Sequence, residues 1–313
     1  MKAKLLIACL LLSSSVAFAA QPVHKKYTQK KASSPTAVKT AHLSKKKTYK
    51  VAKPAEDFSG PLRLGSSMAI VVDQASGETI FSRNSDSRAP IASITKLMTA
   101  MVVLDSDPDM NEAIMVTDDD VDYVKRSSSR LKVGSVLTRQ ELLLLALMSS
   151  ENRAASALSR AYPGGASQFV VAMNRKAAQL GMTQSHFVDP TGLQSSNVST
   201  AEDLVKLVKA GYRYDDIRNT STTDAYDVVY DNGHRTAYRN TNALVKSPEW
   251  DIGLSKTGYI SEAGRCLVMQ ARIASRPVII VLLDSAGKLT RIADAVRIKK
   301  WLETSRASGY RVG

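Results

Sequence analysis

Ser93 and Lys96 form a Ser-x-x-Lys pair at the start of an apolar pattern with helical spacing. In a helix, residues i and i+3 lie on one face, so the Lys96 amine can lie beside the Ser93 hydroxyl. A serine hydroxyl is a poor nucleophile until a base takes its proton. A lysine can be that base only if its pKa is lowered by burial or by a neighbouring cation, for which Lys256 is the candidate. The pair therefore predicts a nucleophile for acyl transfer together with its base.

Two further short motifs follow along the chain: a Ser-x-Asn at residues 150–152 and a Lys-Thr-Gly at residues 256–258. Each motif alone is weak, because Ser-x-x-Lys and Ser-x-Asn also occur elsewhere in the sequence and such triplets are often turns, caps or exposed pairs. On a strand, Lys-Thr-Gly offers a cation and a hydroxyl to a substrate carboxylate, and its glycine permits a close approach to the backbone. Three motifs in this order favour an active site.

The elements that must position these residues are indicated by hydrophobic periodicity and turn signals. Strands are expected at both ends of the domain and helices between them. The signals are a hairpin at 67–82, a helix from Ser93, capping boxes at Thr138/Glu141 and Ser199/Glu202, a hairpin around Asn232-Gly233, strands at 266–274 and 277–283, and a helix at 289–303. This order predicts an α+β fold whose sheet combines strands from both ends of the chain.

The net charge of +14 is concentrated in a segment near the N-terminus. Residues 1–55 contain twelve lysines and no acidic residue, so the rest of the chain has a net charge of about +2. Lys2, Lys4, a short apolar run and Ala17-Phe18-Ala19 predict a signal peptide over 1–19 and export. The composition of residues 20–60 predicts a disordered basic linker. Residues 61–313 are expected to form the folded domain. Removal of the signal leaves Cys266 as the only cysteine, so we expect no intramolecular disulfide.

Other kinds of chemistry are disfavoured by the sequence. The four histidines lie in the tail or in turn-like contexts, and neither Gly-x-Ser-x-Gly nor His-Glu-x-x-His occurs. We therefore expect no metal and no cofactor. A nucleic-acid partner is also disfavoured, because the basic tail has few aromatic residues and is predicted to lie outside the cytoplasm.

The motifs and their surroundings resemble those of the low-molecular-mass penicillin-binding proteins, the D-alanyl-D-alanine peptidases of serine peptidase family S11. The resemblance lies in Pro-Ile-Ala-Ser-Ile-Thr-Lys-Leu-Met-Thr at 90–99, Ala-Leu-Met-Ser-Ser-Glu-Asn at 146–152, Asn-Thr-Asn at 240–242 and Leu-Ser-Lys-Thr-Gly-Tyr at 254–259. It covers about residues 61–304. Glu151 is a mild departure, because a small residue or Asp is more common there.

The resemblance implies a penicillin-binding transpeptidase or β-lactamase-like fold, with an antiparallel sheet flanked by helices beside an all-helical region. It implies that Ser93 attacks the carbonyl of a D-alanine in a peptidoglycan stem peptide and forms an acyl-enzyme that water hydrolyses. Lys96 would be the base, and Ser150 would relay a proton to the leaving amine. β-Lactam antibiotics, which mimic the acyl-D-Ala-D-Ala terminus, would acylate the same serine.

The remaining site residues take substrate-binding roles by the same resemblance. Asn152 would position the substrate backbone, and Lys256 and Thr257 would hold its carboxylate, with Gly258 beside them. The backbone N–H groups of Ser93 and Tyr259 would form the oxyanion hole.

Several activities fit the motifs. Whole-chain similarity favours an endopeptidase that cleaves D-alanyl-meso-diaminopimelyl cross-links in the periplasm, without the C-terminal β-domain of the larger carboxypeptidases. A D-alanyl-D-alanine carboxypeptidase is the alternative. A β-lactamase is disfavoured because no Glu-x-x-Leu-Asn segment lies between the second and third motifs. A catalytically inactive penicillin or muropeptide sensor is disfavoured by the intact Ser93, Lys96 and Lys256.

The basic tail generates a test of its own. Its ten lysines at positions 25–53 should attract an anionic membrane or the cell wall, with about 1 kcal/mol per lysine near a membrane surface. We expect cosedimentation with anionic vesicles or sacculi that decreases with salt and with deletion of residues 20–55. If deletion leaves binding unchanged, the segment is a solvated spacer.

Overall fold

Strands from both ends of the domain meet in one antiparallel sheet. In the computed structural model, which describes residues 61–230 and 233–307, the elements follow the order expected from the sequence. They are β1 (Ser66–Asp73), β2 (Thr79–Arg83), β3 (Ala89–Pro90), α1 (Thr95–Asp105), β4 (Ala113–Met115), β5 (Val136–Thr138), α2 (Arg139–Met148), α3 (Asn152–Arg160), α4 (Gly165–Gln179), β6 (Val198–Ser199), α5 (Ala201–Gly211), α6 (Asp215–Thr222), β7 (Ala225–Val229), β8 (Arg235–Arg239), β9 (Asp251–Ile260), β10 (Gly264–Ile273), β11 (Arg276–Ser285) and α7 (Thr290–Ala307).

The main sheet has the strand order β2-β1-β11-β10-β9, and its neighbours pair antiparallel. The two-residue period of a strand directs alternate side chains of β11 to opposite faces. Ile279, Val281 and Leu283 join the core on the helical side. The intervening residues, including Ile280, join a second core that contains α7 residues. Both faces are buried, and β9 forms one edge of the sheet.

The helical region is built around α1, whose residues from Thr95 to Val103 are all buried. A helix that is buried on every side is apolar on every face. Lys96 is therefore an ionisable side chain in an apolar environment. Three two-stranded sheets, β3 with β6, β4 with β5 and β7 with β8, connect the helices. Within the described residues, no helix is both long and apolar enough to span a membrane.

The local signals were correct with one exception. The hairpin β1–β2 and the capping box of α2 are confirmed, since Glu141 N–H donates to Thr138 Oγ1 over 3.2 Å. The predicted Ser199/Glu202 capping box is wrong by one residue: Thr200 is the N-cap of α5, and its Oγ1 accepts from the Asp203 N–H. Ser199 instead ends β6, because pairing with β3 fixes it in an extended conformation.

The predicted domain boundaries concern residues that the structure mostly does not describe. The predicted signal peptide at 1–19 and linker at 20–60 lie outside the described residues and stay predictions. The described residues fall within the unit Ala55–Gly313. The turn of the β7–β8 hairpin at residues 231–232 also lies outside them.

Asp294 ties α7 to the start of β1. Its buried carboxylate accepts hydrogen bonds from the Gly65 and Ser66 N–H groups and from Ser66 Oγ, at 2.7–3.0 Å. Arg297 donates to the same carboxylate over 2.9 Å. A buried acceptor that serves several donors stabilises the fold mainly because its loss would leave those donors unsatisfied.

We predict that Asp294→Ala lowers the free energy of unfolding by about 3 kcal/mol. Urea denaturation of the purified protein measures this change. Asp251→Ala is the matched control, because Asp251 is an exposed member of an ion pair with Arg272 at the far end of β9. Its loss should cost less than about 0.5 kcal/mol. Equal losses in the two variants would contradict the anchoring role.

Candidate functional site

Ser93 lies in a 3₁₀ turn, Ala92–Ile94, that leads into α1. Ala92 has a φ of 48°, a left-handed conformation that is costly for a residue with a Cβ. Gly192, with a φ of 81°, packs against this turn so closely that a Cβ there would lie 1.9 Å from the Ala92 carbonyl oxygen. The nucleophile turn is thus held in an unusual conformation by a loop that only glycine can complete.

The Lys96 side chain is fully buried. Its Nζ lies 2.9 Å from Ser93 Oγ, 2.7 Å from Asn152 Oδ1 and 2.7 Å from the Thr191 carbonyl oxygen. The amide and backbone oxygens can only accept hydrogen bonds, so they occupy two N–H groups of the amine. In the neutral amine, the remaining position on Nζ is the lone pair, and it faces Ser93 Oγ.

Burial lowers the pKa of Lys96 to about 7, although the carboxylates of Asp189 and Glu151 act in the opposite direction. The neutral form is therefore substantially populated near neutral pH. From the sequence we expected the Lys256 cation to help keep Lys96 neutral. The first cause is instead burial, and the charge of Lys96 in turn contributes to lowering the pKa of Lys256.

Lys256 forms a second polar group beside the first. It is buried in β9, and its Nζ donates to Ser150 Oγ over 2.8 Å and to the Thr257 carbonyl over 2.9 Å. Burial, then Lys96 and then Arg291, hold the pKa of Lys256 well below its usual range. Ser150 has a φ of 63°, so the second motif also contains a strained residue. An anionic group beside Lys256 would favour its charged form.

The end of β9 forms the wall beside the nucleophile. Thr257 Oγ1 donates to Thr241 Oγ1 over 2.7 Å. A Cβ on Gly258 would lie 3.0–3.1 Å from the Ile91 carbonyl and the Ser93 nitrogen. The glycine therefore lets the strand pack against the nucleophile turn, in addition to the close substrate approach expected from the sequence. The Tyr259 side chain is 55% exposed.

A cavity of about 590 Å³ opens beside this site. Two loops line it, one formed by residues 119–125 and the other from within residues 189–196, and Asn152 also contributes. Lys125 on the first loop forms an ion pair with Glu262 just beyond the end of β9. The volume lies within the usual range for small-ligand sites.

Thr191, Asp189 and Thr241 contribute to the site, although sequence reasoning gave them no role. The Asp189 carboxylate accepts hydrogen bonds from the N–H groups of Thr191 (2.6 Å), Gly192 (2.7 Å) and Gln194 (3.0 Å), which fixes the loop that presents the Thr191 carbonyl to Lys96. The Asp-Pro-Thr-Gly sequence at 189–192 is a turn signal that could have indicated this loop. Within the described residues, no group of three or more His, Cys, Asp or Glu is placed to hold a metal.

The arrangement has the parts for acyl transfer. A buried amine can take the proton of Ser93, and a second lysine, which contacts the Ser150 hydroxyl and the Thr257 carbonyl, can hold an anionic group. Among the described residues β9 is an edge strand of the main sheet, so it can pair with an extended peptide.

Comparison with known proteins gives concordant results. A sequence model of the S11 peptidase family, described as D-alanyl-D-alanine carboxypeptidase, matches residues 53–287. A D-alanyl-D-alanine endopeptidase of Pseudomonas aeruginosa is 47% identical over 260 residues, covering 82% of this chain and 84% of that relative. A D-alanyl-D-alanine endopeptidase of Escherichia coli is 46% identical, covering 78% of this chain and 79% of that relative.

The fold is also similar to that of a solved structure. The crystal structure of the Streptomyces K15 DD-transpeptidase aligns with a TM-score of 0.71 and 29% sequence identity. The alignment covers 76% of this chain and 97% of that one.

The pKa of Lys96 predicts a pH dependence. If neutral Lys96 is the base, acylation of Ser93 by a labelled penicillin should slow as pH falls through about 7 and approach tenfold per pH unit at lower pH. Rapid-quench labelling between about pH 5 and pH 8 measures this profile. Lys96→Arg is the control, because an arginine stays protonated throughout and cannot serve as a base. A flat wild-type profile would contradict the assignment.

Proposed function

This chain belongs to the S11 family of serine peptidases, and on that premise we propose that it is a D-alanyl-D-alanine endopeptidase that opens peptidoglycan cross-links through an acyl-enzyme on Ser93. The observation that carries the proposal is the coordination of Lys96. Two carbonyl oxygens take two of its N–H groups, and the third position of its Nζ faces the serine hydroxyl.

In the acylation step, neutral Lys96 takes the proton of Ser93 Oγ as the oxygen bonds to the carbonyl carbon of the donor D-alanine. The resulting oxyanion would accept hydrogen bonds from the backbone N–H groups of Ser93 and Tyr259, roles that follow from the family resemblance. Expulsion of the leaving amine requires a proton at its nitrogen. Ser150 relays that proton: its hydroxyl proton passes to the nitrogen and is replaced from protonated Lys256, which contacts Ser150 Oγ. Water then attacks the acyl-enzyme and gives a proton back to Lys256 through Ser150, while protonated Lys96 returns a proton to Ser93 Oγ as the donor peptide leaves.

Substrate orientation depends on the carboxylate next to the scissile nitrogen. Lys256 and Thr257 bind that carboxylate, and its charge favours protonated Lys256. Thr241 Oγ1 accepts from the Thr257 hydroxyl over 2.7 Å, and the hydroxyl hydrogen can rotate from there to the carboxylate. Asn152 holds Lys96 and lines the cavity, where it can also contact the donor backbone.

The preference for cross-links over terminal D-alanine is supported by the relatives. The P. aeruginosa and E. coli proteins, at 47% and 46% identity over most of their lengths, carry the name endopeptidase. Relatives named carboxypeptidase, such as one from Bacillus subtilis, are less similar at 28% identity. Both reactions cleave after the same D-alanine and leave a carboxylate beside the new amine, so the three motifs suit either.

The setting of the reaction follows from the same proposal. We infer that the protein is exported to the periplasm, because residues 1–19 have the pattern of a signal peptide and peptidoglycan lies outside the inner membrane. β-Lactams are expected as covalent ligands of Ser93. The basic tail provides a peripheral contact with the membrane or the wall.

A competition assay tests the specificity. Purified enzyme is given cross-linked muropeptide dimers and monomeric pentapeptides together, and the products are separated by chromatography. We expect conversion of dimers to monomers, and no conversion by Ser93→Ala. Release of free D-alanine with the dimers intact would establish a carboxypeptidase instead. Turnover by Ser93→Ala at the wild-type rate would contradict the nucleophile assignment.

A further inference from the structure

The segment of residues 127–131 is bound to the start of α3 by side-chain hydrogen bonds. Three consecutive residues of the second motif and α3 contact alternate residues of this segment. Ser129 Oγ donates to Glu151 Oε2 over 2.6 Å, Asn152 Nδ2 donates to Ser127 Oγ over 3.0 Å, and Arg153 donates to the Leu131 carbonyl over 2.8 Å. The segment therefore supports Asn152, whose amide oxygen accepts from Lys96.

Ser127 determines which end of the Asn152 amide faces Lys96. An asparagine side chain has a donor end and an acceptor end, and rotation by 180° exchanges them. The Ser127 hydroxyl also bonds to the Asp122 carboxylate, which can only accept. Ser127 Oγ is therefore left to accept from Nδ2, and Oδ1 points to Lys96 Nζ at 2.7 Å. The reversed amide would direct N–H groups at the amine. Lys96 would then lose one of the two acceptors that orient its lone pair toward Ser93.

Glu151 fixes the position of this segment. Its side chain is 7% exposed, and it bonds to Ser129 while Arg130 Nε lies 4.0 Å away. Arg130 also donates to the Ala237 carbonyl and lies over the Tyr238 ring, so the segment is held on its other side by β8. Glu151 thus holds Ser129, which lies two residues from Ser127 in the same segment. Ser127 in turn contacts Asn152, which coordinates Lys96.

We propose that Ser127 and Glu151 are positioning residues for the acylation step: Ser127 holds the Asn152 amide with its oxygen on Lys96, and the Glu151 carboxylate anchors the segment that carries Ser127. The inference depends on the proposed function, since it concerns acylation of Ser93. It gives Glu151, the residue that departs from the usual family pattern, a role in orienting the base.

The charge of Glu151 has a second effect that is separately measurable. The charged groups that face Lys96 are Glu151 at the start of α3, Asp189 in the loop before β6 and Lys256 in β9. Glu151 acts to raise the pKa of Lys96. Neutralising Glu151 should therefore shift the acid limb of the acylation profile to lower pH, whereas mere loosening of the structure would lower the rate without moving the limb.

The first experiment compares Ser127→Ala with Ser127→Thr in the full chain. Acylation by labelled penicillin should slow by about 10- to 100-fold in Ser127→Ala, because the base is misoriented. Ser127→Thr keeps the hydroxyl and should restore most of the rate. Ser85→Ala is the control, since the Ser85 hydroxyl makes a similar contact, over 2.8 Å, with Glu202, which is not part of the Lys96 site. This variant should be acylated as fast as wild type. Acylation of Ser127→Ala at the wild-type rate would overturn the role of Ser127.

The second experiment measures the pH profile of Glu151→Gln, whose amide oxygen can still accept from Ser129. We expect its acid limb at lower pH than in wild type, and an unmoved limb would contradict the effect of the Glu151 charge on Lys96. Glu151→Leu removes the acceptor for Ser129 and should slow acylation as Ser127→Ala does. It tests the contact chain if Ser127→Ala does not fold, and acylation at the wild-type rate in Glu151→Leu would overturn the anchoring role. The two proposals fail differently: wild-type protein that is not labelled on Ser93 contradicts the proposed function, whereas labelled wild type with unaltered variants contradicts the positioning role.

Discussion

The amine of Lys96 is buried in the apolar helix α1, and the surrounding residues must satisfy it in both of its protonation states. Burying an ammonium without partners costs several kcal/mol, so the site supplies acceptors from three directions. Two of these acceptors are carbonyl oxygens, which cannot donate a hydrogen bond. Burial lowers the pKa of the amine. Because the two carbonyls occupy two N–H groups, the lone pair of the neutral amine faces Ser93.

The rest of the fold brings those acceptors to Lys96. The Thr191 carbonyl depends on a loop that the Asp189 carboxylate organises, and Gly192 of the same loop packs on the nucleophile turn. Gly258 allows β9 to pack on the other side of that turn. The strained conformations of Ala92 and Ser150 are maintained by this dense surrounding structure. The sheet thus contributes a rigid edge, and the helices contribute the buried base.

Much of this arrangement could be predicted from the sequence, because motif residues carry chemical signatures. Ser93, Lys96, Ser150, Asn152, Lys256 and Thr257 were identified from spacing and family resemblance, and the structure brings them into two adjoining polar groups. The sheet of strands from both chain ends was also predictable, since β10 and β11 are long apolar runs.

Other parts could not be predicted, for physical reasons. A backbone carbonyl has no residue signature, so the contact of Thr191 with Lys96 was not visible. The N-cap of α5 shifted from Ser199 to Thr200 because strand pairing competed with capping at a position where either residue could cap. Glu151 looked like a tolerated variation, and only its contact with Ser129 in a distant segment gives it a function to test.

A direct titration of Lys96 tests this account most closely. The protein can be labelled with ¹³C at lysine ε-carbons, and the Lys96 signal can be assigned by its absence from Lys96→Arg. We predict that the Lys96 signal titrates with a pKa of about 7, well below the exposed lysines. A Lys96 signal that stays in the protonated form up to about pH 10 would contradict the claim that burial produces a neutral base for Ser93.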